Sequence, residues 1–174
     1  MSLSSKSPRK VILVALAVGR QGLPVYAHDM LFVSSGFDTA EVFAIKPQGA
    51  KGDVSDTHVA WRSRKGAPHS SSMVVLGDEL YFVSDGGIAT CADARTGNVH
   101  WTERLGGSFS ASLWAAEGRI CFQNEAGMGF VVKASKTYEL LGKNDLGEPT
   151  LASYAATDHA LSIRAKSNLY RIGQ

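Results

Sequence analysis

The stretch Cys91–Trp101, CADARTGNVHW, decides how the rest of the chain is to be understood. It contains an Asp-x-x-Thr-Gly turn (Asp93, Thr96, Gly97) and, after three further residues, Trp101. An aspartate can accept backbone N–H bonds from residues two and three positions on, and a glycine can take the positive φ that closes such a turn. The pattern predicts a hairpin turn between two strands. A step of forty residues from Trp101 lands on Trp61 in one direction and on Leu141 in the other, in the similar segments HVAW (58–61), NVHW (98–101) and YELL (138–141). The chain is therefore expected to be an array of repeats.

Each repeat carries a polar, glycine-containing connection, a run of small and apolar residues, a short polar turn (Gly77-Asp78-Glu79, Glu117-Gly118-Arg119, Asp158-His159) and an apolar strand. A period of about 40 residues made of four short strands is that of a propeller blade. No window keeps the 3.6-residue period that a helical repeat needs. The expected fold class is all-β, a β-propeller of four-stranded antiparallel blades. About four blades are present (24–65, 66–105, 106–146 and 147–174), in an incomplete or truncated ring, and the last is one strand short. The inner strands are expected at 70–77, 110–118 and 150–157, and Phe37-Asp38-Thr39 is read as a turn.

The run Asp93–Trp101 is similar to the D-x-x-T-G-x-x-x-W signature of pyrroloquinoline-quinone (PQQ)-like β-propeller repeats. That family includes quinoprotein alcohol dehydrogenases and the non-enzymatic outer-membrane assembly lipoprotein of the BamB type. The sequence departs from the pattern at three places. Cys91 stands where the family usually has alanine, Lys133-Ala134-Ser135-Lys136-Thr137 lacks the Asp and Gly, and the first repeat is stretched from Ile45 to Asp53. The resemblance implies that Trp61 and Trp101 pack flat between neighbouring blades, with Asp93, Thr96 and Gly97 as blade-docking residues. A large ring burying roughly 150–250 Å² suits that role. Trp114, on an innermost strand, is expected opposite Val74 and Ser153 or Tyr154 near the axis, where it packs in the core or lines an axial surface with His69 and Ser70.

A chain of 174 residues, 44% hydrophobic and 20% charged, is ordinary for a globular domain. Its net charge of +2 is dispersed, apart from Lys6, Arg9 and Lys10 and from Arg62, Arg64 and Lys65. No broad cationic face is predicted, which argues against nucleic acid as a partner. Residues 1–23 form a basic and then apolar segment, in the outline of a secretory signal but without an Ala-x-Ala-like site, and its apolar core is too short to span a bilayer as a helix. It is a signal, an extra strand, or the result of a misplaced start. A periplasmic or secreted setting is the first expectation and a cytoplasmic one the alternative. Cys91 and Cys121 are expected as small buried side chains, with a disulfide left open.

The resembled family generally closes with seven or eight blades, so an arc of about four leaves blade faces and a strand edge uncovered. Three resolutions present themselves: a longer parent protein, two copies pairing to complete a ring, or closure as a four-bladed propeller with Lys10–Val18 supplying the missing outer strand. No catalytic or metal site is expected. Asp78, Glu79, Glu117, Glu125 and Asp158 occupy turns, and His28, His58, His69, His100 and His159 show no metal-ligand spacing. A Ser–His pair such as Ser70 and His69 also needs an orienting acid. Gly86-Gly87 and Gly106-Gly107 have no following helix with which to cradle a phosphate. The expected function is a non-catalytic protein-binding scaffold without cofactor. Its partner would be held by blade loops or exposed strand edges, with self-association as a further mode. The alternative is a fragment of a PQQ-dependent oxidoreductase whose PQQ and calcium site lies outside this chain.

Overall fold

The structure, a computed structural model, describes residues 22–35, 39–157 and 159–173. These residues fold into four consecutive antiparallel meanders, each with its strands in chain order. The first holds β1 (Val25–Ala27), β2 (Met30–Ser35), β3 (Glu41–Ile45) and β4 (Val59–Ser63). The second holds β5 (Val74–Leu76), β6 (Glu79–Val83), β7 (Ile88–Asp93) and β8 (Val99–Arg104). The third holds β9 (Trp114–Ala116), β10 (Arg119–Gln123), β11 (Met128–Lys133) and β12 (Leu140–Asp145). The fourth sheet has three strands, β13 (Ala155–Thr157), β14 (Ala160–Arg164) and β15 (Leu169–Gly173). The expected segment Lys10–Val18, most of 1–23 and part of the Phe37–Thr39 turn lie outside the described residues.

Successive side chains of a strand point to opposite faces, so a strand that is apolar throughout must be covered on both sides. The second sheet shows this directly. Leu80, Phe82, Ala92 and Ala94 pack with Met30, Phe32, Val42 and Ala44 of the first sheet. Their neighbours Tyr81, Val83, Ala89 and Cys91 turn the other way and pack with Ile120, Phe122, Phe130 and Val132 of the third. The sheets are thus stacked face to face like the blades of a fan, with β1 beside β5 and β5 beside β9 along the inner side.

The inner strands are shorter than the apolar runs predict: Val74–Leu76 instead of 70–77, Trp114–Ala116 instead of 110–118, and Ala155–Thr157 instead of 150–157. Backbone before each of these strands is used between sheets. The residue two positions before each inner strand forms one link of a belt: Leu23 N–H donates to Ser72 Oγ (2.8 Å), Ser72 N–H to Ser112 Oγ (3.1 Å) and Ser112 N–H to Ser153 Oγ (2.9 Å). The steps along the belt are 49, 40 and 41 residues. The long first step absorbs the excursion between β3 and β4, which Lys46 N–H closes on His58 O at 2.8 Å.

Candidate functional site

The repeat motif builds the joints between sheets. Asp93 Oδ1 accepts the Arg95 N–H (3.0 Å), the Thr96 N–H (2.8 Å) and the Thr96 hydroxyl (2.9 Å). Gly97 then turns at φ 75° and returns its N–H to Asp93 O at 2.8 Å. The first sheet's Trp61 docks on this turn. Its Nε1–H donates to Ala94 O at 3.0 Å, and a Cβ added to Gly97 would lie 2.7 Å from the indole Cδ2. Only glycine therefore lets the ring lie against the turn. Trp101 repeats the joint one sheet on, donating to Ser135 O at 2.9 Å with Tyr138 edge-on at 5.1 Å. The degenerate turn at 133–137 keeps its acceptor carbonyl without the Asp and Gly.

At the third joint the expectation of Leu141 is corrected. Strand register pairs Ala44 with Trp61, Cys91 with Trp101, and Val131 with Gly142. A bulge follows each pair, and the β11–β12 connection is one residue longer, so Leu141 falls in the bulge and Gly142 occupies the tryptophan position. Apart from Gly142 and its two chain neighbours, no heavy atom of the described residues lies within 4 Å of a Cβ built on it. Ile172 corresponds in register to Ala92 and Val132, which are buried. It is 52% exposed.

On the inner side, Trp114 lies 6.4 Å from the Tyr154 ring and is half-buried. Register makes Val74, Trp114 and Ala155 equivalent, so its counterpart in the fourth sheet is Ala155, with Tyr154 one position before it. The Tyr154 hydroxyl donates to Gln123 Oε1 at 2.8 Å, and burial, then the nearby Cys121, holds its pKa above the ordinary phenol value. His69 and Ser70 belong to the connection into the second sheet. Asp85 Oδ1 accepts both of their backbone N–H groups, at 2.9 and 3.3 Å, and its Oδ2 accepts the Ser70 hydroxyl at 3.1 Å. This carboxylate ties down a loop, so the Ser70 proton is held by an acid. Neither Asp85 nor the serine belt was singled out from the sequence, although Ser72 and Ser112 stand one period apart.

Cys91 and Cys121 are free and buried. Burial pushes the Cys91 thiol up to about 11, despite the Tyr81 hydroxyl beside it, and raises that of Cys121 as well. Among the described residues no three His, Cys, Asp or Glu side chains converge to hold a metal ion. No helix among the described residues is long and apolar enough to cross a membrane.

The sequence model of a family described as outer membrane protein assembly factor BamB matches residues 50–141, over half of the chain. The chain belongs to this family of PQQ-like repeats. BamB from Moraxella catarrhalis superposes with a TM-score of 0.67 at 11% identity, over 88% of this chain and 42% of that one. The computationally designed Ika4 protein gives 0.67 at 11% identity, over 89% and 92%. A europium-containing methanol dehydrogenase gives 0.51 at 14% identity, over 69% and 23%. At these identities the likeness shows the fold alone, and the chain spans less than half the length of the BamB chain it resembles. No curated protein matches it in sequence.

Proposed function

We propose that this chain is a non-catalytic PQQ-like propeller segment that acts as a protein-binding scaffold in a periplasmic or envelope setting, as the description of the matching family implies. The observation that carries this reading is how the motif side chains are used. Trp61, Gly97, Asp93, Thr96 and Trp101 are committed to joints between sheets, and Ser70 and Asp85 to a loop cap. What is left for recognition is surface. Among the described residues the outer edge of β15 has no neighbouring strand, and Leu169 on it is 75% exposed. An extended segment of a partner can add to such an edge through main-chain hydrogen bonds.

The competing reading is a piece of a quinoprotein oxidoreductase, and one titration separates the two. PQQ with calcium is added to the longest natural polypeptide that carries this sequence. Silence in calorimetry is expected, whereas saturable uptake would replace the scaffold reading with the oxidoreductase one. Photo-reactive residues placed at Leu169 and Arg171 are expected to give a discrete adduct with a second polypeptide in cells. Absence of any adduct from β15 would count against recognition at that edge.

A further inference from the structure

We infer that the polar cavity at the turn end of the first joint is a docking site for an acidic side chain carried by a partner polypeptide. This rests on the scaffold reading above and extends it to a second surface. The cavity, of about 510 Å³, lies between two described sheets: His28, Met30, Lys46 and Ala60 wall it from the first, and Arg95 from the second. Asp29 and Gln48 complete the lining, and Gln48 Nε2 donates to Asp29 O at 3.2 Å. Strand pairing gives these positions counterparts at the second joint. Met30 corresponds to Glu79, each following a two-residue turn. Lys46 corresponds to Asp93, each one residue past the pairs Leu31–Ile45 and Leu80–Ala92, and Ala60 corresponds to His100 in the bulge. Arg95 corresponds to Lys136, since each directly follows the carbonyl that accepts a tryptophan Nε1–H, at Ala94 and at Ser135.

At the second joint the chain supplies its own anion. Lys136 Nζ lies 3.7 Å from Glu79 Oε1, and the Glu79 side chain is 16% exposed. At the first joint the thioether of Met30 stands in place of that carboxylate and the Lys46 ammonium in place of the Asp93 carboxyl, so two acids are lost and a cation is gained. Among the described residues Lys46 makes no ion pair. Two acids remain nearby. Arg95 Nη2 is 3.7 Å from Asp78 Oδ1, which also lies 3.8 Å from His28 Nε2, and Asp29 Oδ1 accepts the Tyr26 hydroxyl at 3.3 Å. His28 takes a φ of 52°, a conformation that glycine supplies at the equivalent Gly77, so an imidazole walls this joint where the second has no side chain. Its Nε2 sits 2.8 Å from Gly77 O across the joint. Ala60 leaves open the room that the His100 ring takes one sheet on. A carboxylate offered from outside would stand to Arg95 and Lys46 as Glu79 stands to Lys136. A single exposed ion pair is worth little, so recognition comes from two cations acting on one carboxylate.

The test is an NMR titration of the full chain with the capped tripeptide acetyl-Ala-Glu-Ala-amide, run against the same peptide with glutamine at its centre. Saturable shifts are expected at His28, Lys46, Gln48 and Arg95 with the glutamate peptide alone, and they should weaken as salt is raised. Met30→Glu gives the first joint the carboxylate of the second and is expected to abolish them. Met30 is 4% exposed. Should that variant misfold, Lys46→Glu, a change at an exposed side chain, is expected to weaken binding several-fold. Equal shifts from the two peptides, shifts scattered over the surface, or binding undiminished by both variants would overturn the inference. Inorganic phosphate shifting these residues where the glutamate peptide does not would overturn the assignment to a carboxylate. Uptake of PQQ with peptide binding intact would remove the scaffold reading and leave the site, whereas an adduct at β15 without any peptide shift would remove the site and leave the scaffold reading.

Discussion

The first and third joints are built from the same repeat and differ by one side chain. At the first, an indole bridges two sheets, covers Ala92 and rests on Gly97; at the third, Gly142 offers no side chain and Ile172 is 52% exposed. The interior follows that difference. Both fully packed joints have cores made of side chains such as Phe32, Phe82, Tyr81 and Phe122, each less than 2% exposed. Between the third and fourth sheets the side chains in the corresponding positions include Cys121 and Gln123, held by the Tyr154 hydroxyl. A four-stranded meander can bury only one face against one neighbour, so stability in such a stack resides in nearest-neighbour joints. The wedge residue decides how strong each joint is.

The largest expected effect comes from removing a filled wedge. Trp101→Ala deletes a ring that is 8% exposed, its hydrogen bond to Ser135 O and its edge contact with Tyr138, and should cost about 3–5 kcal/mol in guanidinium unfolding. Trp61→Ala, at a half-buried ring, should cost less, about 2–3 kcal/mol. Equal and small losses for the two would break the wedge account.

Next in size is the turn beneath the ring. Gly97→Ala places a methyl group 2.7 Å from Trp61 Cδ2 and forces an L-residue to φ 75°, a conformation that alone costs about 1–2 kcal/mol. In a double-mutant cycle with Trp61→Ala the two losses should be clearly non-additive, because once the ring is gone only the φ penalty remains. Additive losses would mean that the turn and the ring are not in register. A smaller effect is expected along the belt. Ser112→Ala leaves the Ser72 N–H without its acceptor and should cost about 1 kcal/mol. Ser153→Ala, at the weak joint, should be felt mainly as faster amide exchange in the fourth sheet.

Much of this was legible because repetition amplifies a weak signal. One D-x-x-T-G-x-x-x-W match sets a turn, and the forty-residue step from Trp101 to Trp61 makes it an architecture. The step misled at Leu141 because strand pairing, which a bulge and one extra turn residue shift, decides which side chain faces the neighbouring sheet. A fixed count along the chain cannot see a bulge. The belt was hidden for a different reason: Ser72, Ser112 and Ser153 look like filler in small-residue runs, and their use appears only when the sheets are side by side. Asp85 carries no motif of its own, and its two oxygens cap a loop, at His69 and Ser70, that lies 16 and 15 residues away along the chain.

The smallest effect expected is also the one that best separates a packed joint from an open one, and it is electrostatic. Burial pushes the Asp93 carboxyl up, but the Thr96 and Arg95 donors outweigh it, with His100 helping, so its pKa lies below the ordinary value. A carboxyl whose folded pKa is depressed contributes stability that is complete above its unfolded value of about 4 and is lost as pH falls through the folded value. Asp93→Asn should therefore flatten the decline in stability below about pH 4, by an amount limited by the group's exposure. Glu148, in the connection between β12 and β13, is also held low, by Asn168, Tyr170 and the Ser167 N–H. Its bonds are local to the side of the weak joint, so Glu148→Gln should alter acid-induced opening of the fourth sheet and leave the global midpoint nearly unchanged. Amide exchange followed between pH 5 and pH 2.5, roughly the window set by these shifts, distinguishes the two. If both substitutions moved the global transition equally, the fourth sheet would be as firmly joined as the second, and an empty position at Gly142 would not matter to the fold.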